Sequence, residues 1–576
     1  MKHFQKKSGI VPYLAVAAVA VLVYGNAIDG AFVFDDRMLL VEKPETHTFS
    51  HLGGHFSGAE GFHETMGRYY RPLVALTYCF DNWVSEAYYN GQYARVFHLT
   101  NIAIHAIATL LLFRILALLC GSWKPALPAA LIFAVHPAHT EAVTWISGRT
   151  DSLACLFYLA AGLFWIQFAH KAKGWRLGLL GLFYAAALLC KEMAVTFPLA
   201  VVLYDFTVGR DRAPTFKKRL PIYAGLAALT VLFVVWREIA LSHVAGRDTY
   251  NYFYGKDWVT TAATMLQTLP VYARLLVAPV DLLYHYNGVL PFADSFLAPG
   301  ALGGLGLLIL SLAVAIACVR RAPAVTFAIG FFFLTLLPVM NIVPTFSLMA
   351  ERFLYIPSIA LSVLIAALLA RKAPIAAQPA ASAWRAPAIA AACWVAIGLG
   401  ACLTHERNPD WTSNDKLYLS AAGHKGTKLS VNLGNYHARR DEDAKAEALF
   451  REAIAIKDET MHAWLNLGML YLNKSKKSTN ASALYAQRAQ PDRAERCRQE
   501  ALAFTVEAKG YLERAHEIDP LSPSPLYPLA MVSQKLGAIR TSIEYLEKYA
   551  KLKPDEDHVA ALLDKLRKIE ADKQKR

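Results

Sequence analysis

The sequence predicts an all-α protein in two parts, a polytopic membrane domain followed by a soluble helical array. Three observations predict it. Hydrophobic residues make up 55% of the 576-residue chain and charged ones only 18%, below the roughly 25% of an average soluble domain. The apolar residues gather in runs of membrane-spanning length, about 20 residues, and these runs end near Thr404. Beyond Thr404 the chain turns polar and resembles itself at a period of 34 residues. This balance excludes a soluble globular enzyme and a disordered chain. The formal net charge of +14 sits in short basic clusters between apolar runs, as in the cytoplasmic loops of membrane proteins. Nucleic acid is therefore not an expected partner. The eight cysteines form no CxxC pair, so neither a disulfide framework nor a zinc site is expected.

The first apolar run, 10–28, follows Lys2, Lys6 and Lys7 and is not followed by a small-residue cleavage site. It reads as the first transmembrane helix, with a cytoplasmic N-terminus. Further spans are expected at 97–120, 125–145, 152–169, 175–190, 193–206, 220–240, 300–319, 324–340, 356–370 and 386–403, about eleven in total. Lys124, then Lys171, Lys173 and Arg176, then Arg210, Arg212, Lys217, Lys218 and Arg219, then Arg320, Arg321, Arg371 and Lys372 fall on the inner side. Segment 261–283 is the exception, because Arg274 lies in its middle between Pro270 and Pro279. A charge at mid-bilayer costs at least about 2.5 kcal/mol, so this segment is read as interfacial or re-entrant on the outer side. Eleven spans place the C-terminal part opposite the N-terminus, and a spanning 261–283 would return it to the cytoplasm.

The period of 34 identifies the soluble part. Trp464, Leu467, Gly468 and Tyr471 have the spacing of the first helix of a tetratricopeptide repeat (TPR), and Leu433, Gly434 and His437 stand 34 residues earlier. Ala446, Phe450 and Ala453 supply a second helix, as do Ala508, Leu512, Ala515 and Pro520, and again Ser542, Leu546, Tyr549 and Pro554. The expected domains are a membrane domain at 1–404, a linker at 405–427 and a TPR domain at 428–576. The last holds about three repeats, an insertion near 473–500 read as a long loop or extended helices, and a C-terminal capping helix. Such arrays bind extended peptides or proteins, so a protein partner on the groove is expected. The insertion also carries two sequons by pattern, Asn473-Lys474-Ser475 and Asn480-Ala481-Ser482.

With this topology, charged residues collect at the outer face. The loop after the first span holds Asp35 and Asp36, then Arg68, Tyr69, Tyr70 and Arg71. His136, His139 and Glu141 precede Arg149 and Asp151, Lys191 and Glu192 separate two spans, and Glu351, Arg352 and Tyr355 separate two others. Taken singly, each has a plain reading. Asp35-Asp36 suits a solvated turn or helix cap. His136 and His139 suit either two metal ligands or an interfacial pair, with Pro137 between them disfavouring the metal. Lys191-Glu192 suits a simple ion pair. As a set they suit one cavity, since ionisable groups near a bilayer are costly and tend to be functional. Cations there would hold a phosphate, and a carboxylate beside them would take a proton from an acceptor hydroxyl.

The chain resembles the transmembrane and tetratricopeptide repeat (TMTC) family and its bacterial relatives, GT-C-fold glycosyltransferases related to protein O-mannosyltransferases. The resemblance rests on Phe34-Asp35-Asp36, Tyr70-Arg71-Pro72-Leu73, the stretch from Val135 to Val143, Gly148-Arg149-Thr150-Asp151, Lys191-Glu192, the stretch from Ala350 to Ser358, and Arg407-Asn408-Pro409-Asp410-Trp411. It implies a polyprenyl-phosphate-linked mannose or other hexose as donor, and inverting transfer on the extracytoplasmic side to a hydroxyl such as a protein Ser or Thr. It implies Asp35 as catalytic base, with Asp36 next in line. It implies Arg71, Arg149, Lys191 and Arg352 as donor-phosphate ligands. His136, His139, Glu141, Glu192, Glu351 and Tyr355 would orient the donor, and a divalent metal held by His136, His139 and Glu141 is the alternative; no other cofactor is implied. Animal members carry more repeats than this chain, and its alanine-rich membrane segments point to a bacterial inner membrane, with the TPR domain in the periplasm. Transfer to a glycan or lipid, or a membrane-anchored TPR scaffold without activity, are the competing functions. A transporter would show paired halves, which are not seen in the sequence.

Overall fold

The structure is a computed structural model that describes residues 9–42, 47–59, 69–89, 93–210, 216–242, 252–343, 345–370, 385–553 and 556–574. Among the described residues every regular element is helical. The chain divides into two compact units, residues 1–286 with 290–420, and residues 287–289 with 421–576.

The first unit contains α1 (Val11–Leu22), α2 (Pro72–Tyr89), α3 (Ala94–Cys120), α4 (Trp123–Ala134), α5 (Arg149–His170), α6 (Gly174–Leu188) and α7 (Phe197–Phe206). It continues with α8 (Phe216–Ala240), α9 (Trp258–Val277), α10 (Pro299–Cys318), α11 (Pro323–Leu336), α12 (Ile359–Ala370), α13 (Arg385–Arg407) and α14 (Asn414–Ser420). α3 is central and packs on α1, α4 and α5. Its Ala108, Leu112, Phe113 and Leu116 are fully enclosed, as expected where helices associate by close packing. Between α3 and α4 the chain reverses sharply. Gly121 takes a left-handed φ of 65°, which a side chain would resist, and the Ser122 hydroxyl accepts from the Lys124 amide to start α4.

Among the described residues, five helices are long and apolar enough to cross a membrane, Ala94–Cys120, Ile146–His170, Lys217–Ala240, Pro299–Cys318 and Pro387–Thr412. Four shorter apolar helices accompany them, Val11–Ala27, Gly174–Leu188, Pro323–Val339 and Ile359–Ala370. Of the expected eleven, these nine are the apolar helices found among the described residues. Apolar composition does not guarantee an unbroken helix, and the run 125–145 shows why. Its helix α4 has 12 residues, a rise of about 18 Å against a hydrocarbon core of about 30 Å, and it ends before His136-Pro137. Likewise 193–206 yields α7, of 10 residues. The segment 261–283 falls on α9, a 20-residue helix started by the Asp257 carboxylate, which accepts from Thr260 N at 2.7 Å. Part of the expected linker 405–427 packs with the first unit. Asn408 donates to the Val23 carbonyl and accepts from Thr144, Trp411 is fully buried, and residues as far as Ser420 belong to the first unit. Arg68, Arg212, Arg371 and Lys372 lie outside the described residues.

The second unit is a run of antiparallel helix pairs. α15 (Thr427–Ala438) pairs with α16 (Asp443–Ile456), α17 (Met461–Gln487) with α18 (Pro491–Ile518), and α19 (Leu526–Lys535) with α20 (Ile539–Leu552), followed by α21 (Asp557–Gln574). Gly434 and Gly468 lie directly against the Phe450 ring and the Leu512 side chain, so the small positions of the repeat are seats for its large ones. Leu467, Leu470, Ala508 and Phe450 form one core, and Ala530, Leu546, Val559, Leu563 and Leu566 another. The insertion near 473–500 is helical: α17 and α18 are both elongated and pack on each other.

Candidate active site

Four irregular stretches of the first unit carry the site. The first follows α1, where Phe34 adopts a left-handed φ of 56° and turns two adjacent aspartates into different surroundings. Asp36 is fully buried, with Oδ2 accepting from Val33 N at 3.0 Å and Oδ1 accepting from Ser147 N at 2.9 Å and from the Ser147 hydroxyl. Burial outweighs these three donors and lifts its carboxyl to about 7. Asp35 is half-buried, and its carboxylate makes no hydrogen bond or ion pair among the described residues.

The second stretch exists because of Pro137. Proline has no amide hydrogen and pushes the preceding residue into extended backbone, and His136 sits at φ −72°, ψ 120°. From there to α5 the chain makes only short turns, at Pro137–His139, Thr140–Val143 and Ile146–Gly148. This compact path presents Glu141, Ser147 and Arg149 within nine residues. Gly148 is required here, because a Cβ would strike the Glu141 carbonyl oxygen.

The third stretch, between α6 and α7, has Lys191 extended ahead of a 3-10 turn at Glu192–Thr196. The fourth is a 3-10 turn at Glu351–Leu354, entered through extended Ala350.

Three cations meet three carboxylates across these stretches and the lead-in to α2. Arg71 Nη2 donates to Glu192 Oε2 at 3.0 Å, and its guanidinium lies 4.3 Å from the Tyr69 ring centre. Lys191 Nζ donates to Asp151 Oδ1 at 2.5 Å. Arg352 pairs with Glu141 through both its side chain and its backbone N–H, the latter at 2.8 Å, and lies over Trp145 and Phe353. The groups share one neighbourhood. Burial lowers the Lys191 ammonium to about 8, with Asp151 opposing and Arg71 and Arg352 assisting. Tyr69 feels Arg71, Glu192, Arg352 and Asp35 together. At Glu192, burial would raise the carboxyl, but Arg71, the residue's own backbone N–H and then Arg237 hold it below the ordinary glutamate range.

The remaining expected residues stand elsewhere or are already engaged. Arg149 is wholly enclosed and spends its guanidinium on Asp81 at 2.6 Å, Asn101 at 2.6 Å, the Phe97 carbonyl at 2.8 Å and Thr77 at 3.1 Å. Glu351 accepts from Leu283 N at 2.5 Å and the Tyr286 hydroxyl at 2.8 Å, and burial raises its carboxyl against the pull of Arg407. Tyr355 shares a 2.6 Å hydrogen bond with His105. His136 donates to the Leu276 carbonyl at 3.0 Å and accepts from Ala138 N, while His139 meets the Phe133 carbonyl at 3.0 Å and Ser358 Oγ at 2.9 Å. With all four ring nitrogens engaged, the metal alternative has no open ligand there. No group of three His, Cys, Asp or Glu residues suited to a metal occurs among the described residues. Sequence reading gave Tyr69 and Asp151 no role. Asp151, one turn into α5 beside Arg149, carried a signal as a carboxylate next to a cation motif. Asp81 and Asn101, which clamp Arg149, carried none, because their pairing is made only by the fold.

The helical fold, with helices of membrane-spanning length and apolar composition, and its acid-and-cation cluster have counterparts among known proteins. The family model for dolichyl-phosphate-mannose-protein mannosyltransferase matches residues 90–236, which include His136, His139, Glu141, Arg149, Lys191 and Glu192. Protein O-mannosyl-transferase TMTC3 of Mus musculus is 27% identical over 82% of this chain and 54% of its own length. Tmtc3 of Drosophila melanogaster is 26% identical over 83% and 58%, and mouse TMTC4 is 28% identical over 61% and 54%. The chain is thus similar over most of its length to the TMTC proteins, the family its motifs resemble. It spans about half the length of the curated relatives it matches. Those relatives are animal proteins, which gives the expected bacterial membrane no support.

Proposed function

We propose that the protein is an integral membrane glycosyltransferase that moves a mannose or another hexose from a polyprenyl-phosphate donor to a hydroxyl, that of a protein Ser or Thr. The reaction takes place on the extracytoplasmic side, with the N-terminus in the cytoplasm. The observation that carries this reading is the pairing of opposites around Tyr69. The Asp35 carboxylate, uncommitted among the described residues, shares that neighbourhood with the cations Arg71 and Arg352. Asp35 takes the acceptor proton as the hydroxyl oxygen attacks the anomeric carbon. The bond from that carbon to the phosphate oxygen breaks, and its electron pair leaves on the polyprenyl phosphate. Attack opposite the leaving group inverts the anomeric centre, and one base suffices. Arg71, Lys191 and Arg352 stabilise the charge gained by the departing phosphate. Asp36, Arg149, Glu351 and Tyr355 hold the surrounding turns in place rather than touching donor or acceptor. The TPR groove recruits the acceptor or a partner protein.

The test is transfer of radiolabelled sugar from polyprenyl-phosphate donors to endogenous acceptors, in membranes carrying wild type or Asp35→Asn. Wild type should label protein, and Asp35→Asn should lose at least about a hundredfold of that rate at unchanged thermal stability. Equal activity in both would remove Asp35 as the base. Label on lipid or glycan would move the acceptor class, and no label from folded protein across donors would favour a scaffold.

A further inference from the structure

We propose that Glu192 is a displaceable stand-in for the donor phosphate, occupying Arg71 in the empty site and moving toward Arg237 when the donor arrives. This rests on the donor reading above. The three ion pairs of the site are not alike. The side chains of Asp151 and Glu141 are each 1% exposed, whereas that of Glu192 is 32% exposed. Two partners are sealed in and one is reachable. Asp151 and Glu141 are also better held, by a close contact to Lys191 and by two donors of Arg352. The Arg71–Glu192 pair is only half made. A guanidinium and a carboxylate can form two parallel bonds, yet a single one joins Nη2 to Oε2. Arg71 Nε and Glu192 Oε1 are both buried without a partner among the described residues. Leaving such atoms unpaired is costly.

A phosphodiester offers two free oxygens to that fork and can use both Nε and Nη2. Tyr69 stacks against the guanidinium and keeps its plane fixed while the anion changes. Arg237, in the last turn of α8 and paired with Glu238, also acts on Glu192, and in this proposal it receives the displaced carboxylate. Exchanging one anion for another spares the site an extra negative charge beside Asp35.

The probe is a sugar-free polyprenyl phosphate, and the readout is its equilibrium affinity for the full-length protein in nanodiscs. Glu192→Gln should bind it roughly five- to tenfold more tightly than wild type, because the competing anion is gone. Arg237→Gln should bind it more weakly, and the double variant should match Glu192→Gln alone, since Arg237 matters only through Glu192. Glu192→Asp, one methylene too short to keep the Arg71 contact, should bind more tightly as well and serves if Glu192→Gln does not fold. Unchanged or weaker binding by both folded Glu192 variants overturns this inference and makes Glu192 part of the holder. Additive effects in the double variant also overturn the exchange. Absence of saturable binding by wild type overturns the donor reading itself.

Discussion

Asp35 and Asp36 differ by one peptide unit and by everything around them. The first is a carboxylate uncommitted among the described residues and the second a buried acceptor of three hydrogen bonds. Asp36→Asn puts an amide donor among those donors and should lower stability by about 1–3 kcal/mol, with activity per folded molecule retained. The pH dependence follows from its raised carboxyl. Between the ordinary 3.8 and about 7 the fold keeps a proton that the unfolded chain has released. The stability contribution of Asp36 therefore declines as pH rises through that window and is level above it. Thermal unfolding across the window should show a slope in wild type that Asp36→Asn lacks. Lys191 gives a second pH test. Its ammonium, lowered to about 8, should lose its proton as pH passes that value, and polyprenyl-phosphate affinity should fall with it. Lys191→Arg stays charged and should hold its affinity to higher pH. Which aspartate was the free one was not legible in the sequence, because the difference is made by Ser147, 111 positions away.

At the scale of the element, the stretch from His136 to Gly148 shows how an apolar run becomes a site. Hydropathy alone read 125–145 as one span. Pro137 was the visible sign against it, and the structure stops α4 at Ala134. The turns that replace the helix bring Ser147 to Asp36 and Glu141 to Arg352. Gly148→Ala should separate those turns, because its Cβ meets the Glu141 carbonyl. The expected result is loss of both thermal stability and transfer, measured on one preparation; a stable, active variant would show that the turns can open without cost. Asp81, Asn101 and Thr77 clamp Arg149, which the sequence offered as a ligand for phosphate. A cation in a membrane protein is a functional candidate by default, and only the fold reveals that its donors are used.

At the scale of the molecule, the two units rest on different forces and should respond separately. The repeat unit buries Phe450 at 1% exposure among Leu467, Leu470 and Ala508. Phe450→Ala should destabilise that unit by about 3–5 kcal/mol, seen as faster proteolysis of residues beyond Ser420. Polyprenyl-phosphate affinity should stay at the wild-type level, and a fall in affinity would tie the two units together energetically. The 34-residue period was legible because the repeat needs glycine or alanine wherever a large residue of the facing helix seats, and sequence records such size constraints directly. Helix breaks and ion pairs were not, because they depend on residues brought together from distant parts of the chain.

The elongated pair α17 and α18 has 27 and 28 residues where α15 and α16 have 12 and 14, a gain of about fourteen residues on each strand. At 3.6 residues per turn that is close to four whole turns. The addition lies at the joined ends of the two helices, where its two arms pair with each other, Ser475 with Ala501 and Ser482 with Ala494, and it leaves the array faces at the other ends as they were. Length in this arm is then a trait that can drift without refolding anything. Adding or removing one turn on each strand changes the chain by about seven residues, so natural length variants should be spaced in steps of about seven, and intermediate lengths should be rare.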